Sequence, residues 1–229
     1  VGPMQSPAKV TCRPSSSASR VATGARLIAG SGLPFGRPRW LATITRDAKD
    51  TLDKLALRYF ADRIVAVSRR VAERLEESGC NPAIVVPLYN GVVLHQVWPK
   101  RTRDEVRYEL AIGRDAPLVG TVGRLSPVKG HAHFLDAARL ILEQEPEARF
   151  LIVGDGPLKR DLIGAAARLG IDRACLFVGA RSDVYDLVSA MDVFVLSSLD
   201  EGIPMALLEA MALARPVVAL PAVPVPALM

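Results

Sequence analysis

Three cysteines, Cys12, Cys80 and Cys175, are all that 229 residues contain. They are odd in number, widely spaced and in no CxxC pair, which argues against a disulfide framework and fits a reducing, cytoplasmic compartment. No group of His and Cys has metal-ligand spacing, so no metal is expected. No apolar run reaches the roughly 18 residues that a membrane-spanning helix needs. The nearest approach, residues 205–229, is broken by Glu209, Arg215 and the prolines Pro216, Pro221, Pro224 and Pro226. Acidic residues are missing from residues 1–46, which hold Lys9, Arg13, Arg20, Arg26, Arg37, Arg39 and Arg46. That segment carries +7 of a total of +5, so the rest of the chain sums to −2. A nucleic-acid partner requires a basic stripe on the folded part, and a near-neutral body does not supply one. The segment is rich in Ser, Arg, Pro and Gly, as at 15–20, and reads as an unstructured basic tail rather than a transit peptide.

What is present is the composition of a globular protein, half apolar and 23% charged. The length suits one good core, or one domain and part of another. From about residue 50, short apolar runs alternate with helical patterns. The runs are 64–67, 84–87, 118–122, 150–153, 176–178, 193–196 and 217–220. They lack polar alternation, as expected of parallel strands covered on both faces. Thr102 followed by Glu105 predicts a capping box, and Ser68 and Ser182 predict N-caps. Pro157 and Pro204 are placed to be first helical residues, and Gly170 to end the helix that Pro157 begins. Over 131–144, Phe134, Leu135, Ala138, Ile141 and Leu142 form one apolar stripe. This pattern predicts an α/β fold, a Rossmann-like parallel sheet with helices on both faces. Ligands of such sheets bind beyond the carboxyl ends of the strands, so the loops that follow each strand carry the chemistry.

The loop after 118–122 reads Gly123-Arg124-Leu125-Ser126-Pro127-Val128-Lys129-Gly130. Glycine admits close backbone approach, a helix start offers free N–H groups, and Arg124 and Lys129 add two cations. The set suits a diphosphate, although two solvated surface cations would leave the same signature. It is not a GxxxxGK[ST] loop. The loop after 150–153 reads Gly154-Asp155-Gly156-Pro157. A dinucleotide fingerprint needs glycine where Lys159 stands, which weakens a dinucleotide-dependent oxidoreductase, and the glycines read first as shapers of a tight turn. The loop after 193–196 reads Ser197-Ser198-Leu199-Asp200-Glu201-Gly202-Ile203-Pro204 and leads into a helix carrying Glu209. On a continuous helix, positions 201 and 209 would lie about 80° apart and roughly 12 Å along the axis. That separation suits two parts of one extended ligand rather than a shared proton, and carboxylates accept from sugar and ribose hydroxyls. Leu207, Leu208, Ala210 and Met211 around Glu209 make it a poor solvated charge.

Gly123-Arg124-Leu125 with Lys129-Gly130, Gly154-Asp155-Gly156-Pro157, and Glu201-Gly202 to Glu209-Ala210-Met211, in that order, resemble the retaining GT-B glycosyltransferases of family 4, also called group 1. Residues 61–68 and Asn90-Gly91-Val92 add to the likeness, which covers roughly residues 55–220. The resemblance implies a GT-B C-terminal domain with a remnant of the N-terminal one. Residues 1–46 stay unassigned, 47–92 end an acceptor-side domain and its linker, and 93–229 form an incomplete nucleotide-sugar-binding domain. It also implies roles. Arg124 and Lys129 grip the donor diphosphate, Glu201 sits at the donor sugar, and Glu209 holds the ribose hydroxyls. Gly123, Gly154 and Gly202 line the nucleotide. The activity implied is transfer of a sugar from a nucleotide-diphosphate sugar to a carbohydrate or lipid-linked acceptor hydroxyl with retention. No cofactor or metal is expected, in keeping with the lack of a DxD motif, and peripheral membrane contact fits a lipid-linked acceptor.

The likeness has gaps. No glycine-rich loop or catalytic histidine of the family's first domain is found near the start, and His131 and His133 read as solvated residues of a first helical turn. Ala214 replaces a glycine common before Arg-Pro, and a Gly-Gly turn expected after 216–220 is missing. The chain therefore reads as a fragment, and a non-catalytic nucleotide-sugar-binding module stands beside the transferase. A sugar epimerase of the same architecture would carry similar loops.

Overall fold

The computed structural model describes residues 62–220 and, ahead of them, strands β1 (Ala25–Gly30) and β2 (Arg39–Ile44). These two join β3 (Arg63–Ala66) and β4 (Val85–Pro87) in a sheet of order β1-β2-β3-β4. β1 is antiparallel to β2, and the other neighbours are parallel. Part of the expected basic tail is therefore strand. Each stretch is six mostly apolar residues with one arginine, and composition averaged over 46 residues conceals them. The rest of 1–46, Cys12 included, lies outside the described residues. Helix α1 (Arg69–Glu77) starts where the Ser68 hydroxyl accepts from the Val71 N–H, as predicted. It buries Val71, Ala72 and Leu75 on Ile64, Ala66 and Val85.

The second sheet holds β5 (Leu118–Val122), β6 (Arg149–Val153), β7 (Cys175–Gly179), β8 (Val193–Leu196) and β9 (Val217–Ala219). All its pairings are parallel, in the order β7-β6-β5-β8-β9. Strand residues divide between two helix layers by their period of two. Phe150 and Ile152 face Phe134, Leu135 and Ala138 of α3 (His131–Leu142) and Leu162 of α4 (Lys159–Arg168). Leu151 and Val153 belong to the core of α2 (Arg103–Glu109), α5 (Val184–Ala190) and α6 (Met205–Ala212), with Val106, Leu187 and Leu207. Both faces are covered, which is why these runs show no polar alternation. The fold is the predicted one, and strand limits differ from expectation by a residue or so. Residues 82–84 form a 3-10 turn ahead of β4.

The Thr102–Glu105 capping box forms in full. Ser182 does not cap α5; Asp183 precedes that helix and turns its carboxylate to Arg181 instead. Pro157 stands two residues ahead of α4, in the turn that brings Leu158 to the Leu125 carbonyl. Pro204 caps α6 rather than opening it. Gly170 closes α4 with φ 70°, and the N–H groups of residues 170 and 171 return to Ala167 and Ala166. Ala214 closes α6 with the same bonds, to Met211 and Ala210, at φ 54°. The glycine missing from the sequence is missing where a left-handed residue is required.

Candidate functional site

The strand order decides where a ligand fits. After β5 the chain adds β6 and β7 on one side, then returns to lay β8 and β9 on the other. The reversal lies between β5 and β8, and sheets of this kind bind ligands in the crevice beyond the carboxyl ends of the strands at such a point. These are the loops 123–130 and 197–204 that the sequence analysis singled out.

The two loops are joined by backbone and side chain. The Leu199 N–H donates to the Val128 carbonyl at 2.8 Å, and the Ser197 hydroxyl to the Lys129 carbonyl at 3.0 Å. Gly130, at φ 61°, lies so near Ser197 that a Cβ would stand 2.0 Å from its carbonyl oxygen. No other residue fits both the conformation and the space. Loop 154–157 supports this arrangement from β6. A Cβ on Gly154 would meet the Gly123 carbonyl oxygen at 1.9 Å, and one on Gly156 the Leu125 oxygen at 2.4 Å. Leu125 also donates to the Asp155 carbonyl. Gly154 and Gly156 thus shape the turn. Gly123, held to the Val153 carbonyl, lies beside the Lys129 side chain.

Within this frame Lys129 Nζ lies 2.5 Å from Glu201 Oε1. The same oxygen accepts from the Ser198 hydroxyl at 2.7 Å. Glu201 is 7% exposed and Ser198 fully buried. Residues 72 apart in sequence thereby form one ionic centre. Arg124 is exposed, and its guanidinium has no partner among the described residues. Gly202 is buried in the turn before α6. Glu209 is half-buried in the second turn of α6 and is not in the Lys129–Glu201 contact set; its Oε1 accepts from the Tyr185 hydroxyl at 3.4 Å. Burial pushes the Glu209 carboxyl upward.

His131 corrects the sequence expectation. It is 4% exposed, while His133 is exposed. Burial first, and the Lys129 charge second, push its pKa down to about 4, so the ring is neutral at pH 7. Its Nδ1 has no hydrogen-bond partner among the described residues. A helix packed by its first turn buries position 131 together with 134, 135 and 138, and a single residue's polarity does not reveal that. Ser197, Ser198, Tyr185 and Asp200 were not picked out by sequence either. Asp200 receives a two-point contact from Arg74 of α1, at 3.0 and 3.2 Å, which ties the loop beside Glu201 to the four-stranded unit. The serine pair at a strand's carboxyl end was the one available signal.

Residues 116–229 match the family described as glycosyl transferases group 1. The chain is 34% identical over 146 residues to the UDP-Gal:alpha-D-GlcNAc-diphosphoundecaprenol alpha-1,3-galactosyltransferase of Escherichia coli, covering 62% of this chain and 38% of that protein. It is 32% identical over 168 residues to the lipopolysaccharide core biosynthesis mannosyltransferase LpsB of Rhizobium meliloti, covering 69% and 45%. Among solved structures it superposes on Anabaena Alr3699/HepE in complex with UDP-glucose, with a TM-score of 0.71 and 25% identity, over 78% of this chain and 50% of that one. The chain thus spans less than half the length of either relative. No helix among the described residues is long and apolar enough to cross a membrane. Residues 116–229 thus match the glycosyl transferases group 1 family, and their parallel five-stranded sheet is that of the GT-B glycosyltransferases among the solved structures.

Proposed function

We propose that the crevice between β5 and β8 binds a nucleotide-diphosphate sugar, and that the chain serves transfer of that sugar to an acceptor hydroxyl with retention of configuration. One observation carries the reading. The switch point holds a cation–carboxylate pair, Lys129 and Glu201, and in the same loop as Lys129 the exposed Arg124, whose guanidinium has no partner among the described residues. Departure of a nucleoside diphosphate concentrates negative charge on phosphate oxygens. Fixed cations in a partly desolvated crevice stabilise that charge most when it is greatest. Lys129 then shares its protons between Glu201 and the phosphate, and Arg124 closes on the other oxygens. Glu201, released in part from Lys129, accepts from a donor-sugar hydroxyl, and Glu209 from the ribose. In this reading the two side-chain cations supply the positive charge and no divalent metal is called for.

The UDP named in the E. coli relative and bound in the Anabaena structure supports a UDP-sugar donor. The diphosphoundecaprenol acceptor in the first relative's name supports a carbohydrate or lipid-linked acceptor reached by peripheral membrane contact. A second reading is a nucleotide-sugar-binding module without turnover, which the Lys129–Glu201 pair and the exposed Arg124 would serve equally well. Titration calorimetry with UDP- and GDP-sugars, run beside a transfer assay, separates the two. Binding with transfer supports the enzyme, binding without transfer selects the binding module, and no binding of any nucleotide sugar refutes both.

A further inference from the structure

Glu201 and Glu209 are partnered in opposite ways. Glu201 is neutralised by Lys129, whereas Glu209, half-buried among apolar neighbours, has no ion pair among the described residues. Its one side-chain hydrogen bond among the described residues is from the phenol of Tyr185, in the first turn of α5, which packs with α6 on the same face of the sheet. A phenol can orient a carboxylate without cancelling its charge. A lysine or arginine there would compete with any neutral hydroxyl donor. A hydrogen bond to Oε1 leaves Oε2 to accept from a ligand, since an ionised carboxylate has about four acceptor sites. The 3.4 Å separation is long for O–H···O, and hydrogen bonds of this kind tighten in the loaded complex.

We propose that Tyr185 is a positioning residue that holds the Glu209 carboxylate for the ribose hydroxyls of the donor nucleotide, and so sets the preference for a ribonucleotide over a deoxyribonucleotide. This rests on the reading of Glu209 given above. Burial raises the Glu209 carboxyl and, together with the Glu209 charge, the Tyr185 phenol. A phenol that keeps its proton remains a donor at neutral pH, in agreement with the geometry.

The test is the ratio of dissociation constants for 2′-deoxy-UDP and UDP, by titration calorimetry on the full chain. The unsubstituted chain is expected to favour UDP by about tenfold, one hydrogen bond to a charged group. Glu209→Gln should bring the ratio near one. Tyr185→Phe should lower it severalfold by weakening UDP alone, and the double variant should match Glu209→Gln. A ratio unchanged in Tyr185→Phe while Glu209→Gln removes it overturns the Tyr185 role and leaves the ribose reading standing. Equal weakening of both nucleotides by Tyr185→Phe makes Tyr185 merely structural and overturns the role as well. A ratio that Glu209→Gln does not move, or no binding of either nucleotide, removes the Glu209 reading and the Tyr185 role together.

Discussion

Two ionic centres of the five-stranded sheet, at its opposite edges, are built differently. At the amino edge Arg107, 1% exposed, donates to the carbonyls of Gly113, Arg114 and Ala116 and to Asp192. Asp192 also accepts from the Leu118 N–H and from Arg103, so the entries to β5 and β8 are bound together. Of the Arg107 nitrogens only Nε lacks a partner among the described residues. At the carboxyl edge Lys129 has one partner, Glu201 uses one oxygen, and Arg124 has none among the described residues. A centre whose hydrogen-bonding capacity is nearly spent holds the fold. One with capacity left over can take a ligand.

The largest effect should come from the saturated edge. Arg107→Leu takes one of three donors from Asp192 and strips the Arg114 and Ala116 carbonyls of the guanidinium they share, and stability should fall by about 3–5 kcal/mol in urea unfolding. A loss below about 1 kcal/mol would erase the distinction between the edges. Next is His131, whose folded pKa lies near 4 against an ordinary value near 6.5. Between those values the unfolded chain binds a proton that the folded chain refuses. Stability present at pH 7 therefore drains as pH falls from about 6.5 towards 4, by up to about 3 kcal/mol. His131→Phe should flatten that part of the urea-midpoint profile, and an unaltered profile would mean that other groups set it. At the unsaturated edge, Arg124→Ala and Lys129→Ala should each weaken UDP binding by about 1.5–3 kcal/mol in calorimetry. Arg124→Ala should leave the unfolding midpoint in place, because its side chain is exposed and has no partner among the described residues. Unchanged affinity in both removes the phosphate role. The smallest effect is a gain. Ala214→Gly relieves a left-handed alanine and should stabilise by about 1 kcal/mol, seen as a higher Tm; a lower Tm would show that the methyl group packs usefully.

Much of this was legible in one dimension. The buried runs, the capping box and the order of the three charged loops depend on local pattern, and they stand within a residue or so of expectation. Ala214, where the pattern calls for glycine, is left-handed at φ 54°. Other features were opaque because their cause is packing. His131 is buried by how α3 docks, Ser182 loses its cap to the Asp183–Arg181 contact, and Ser198 matters only because Glu201 turns back onto it. Tyr185 meets Glu209 across two helices, a contact that spacing does not encode.

By itself the amino-acid sequence determined the strands and most of the helices after residue 62, through period and glycines, and which loops carry charge; it did not reveal β1 and β2. Only the tertiary structure decided that β8 lies against β5. That adjacency brings Lys129 within bonding distance of Glu201. The physical reason is that strand order follows from the packing of whole layers. Residues 72 apart share an ion pair because two helix layers close over one sheet, and neither loop specifies that alone.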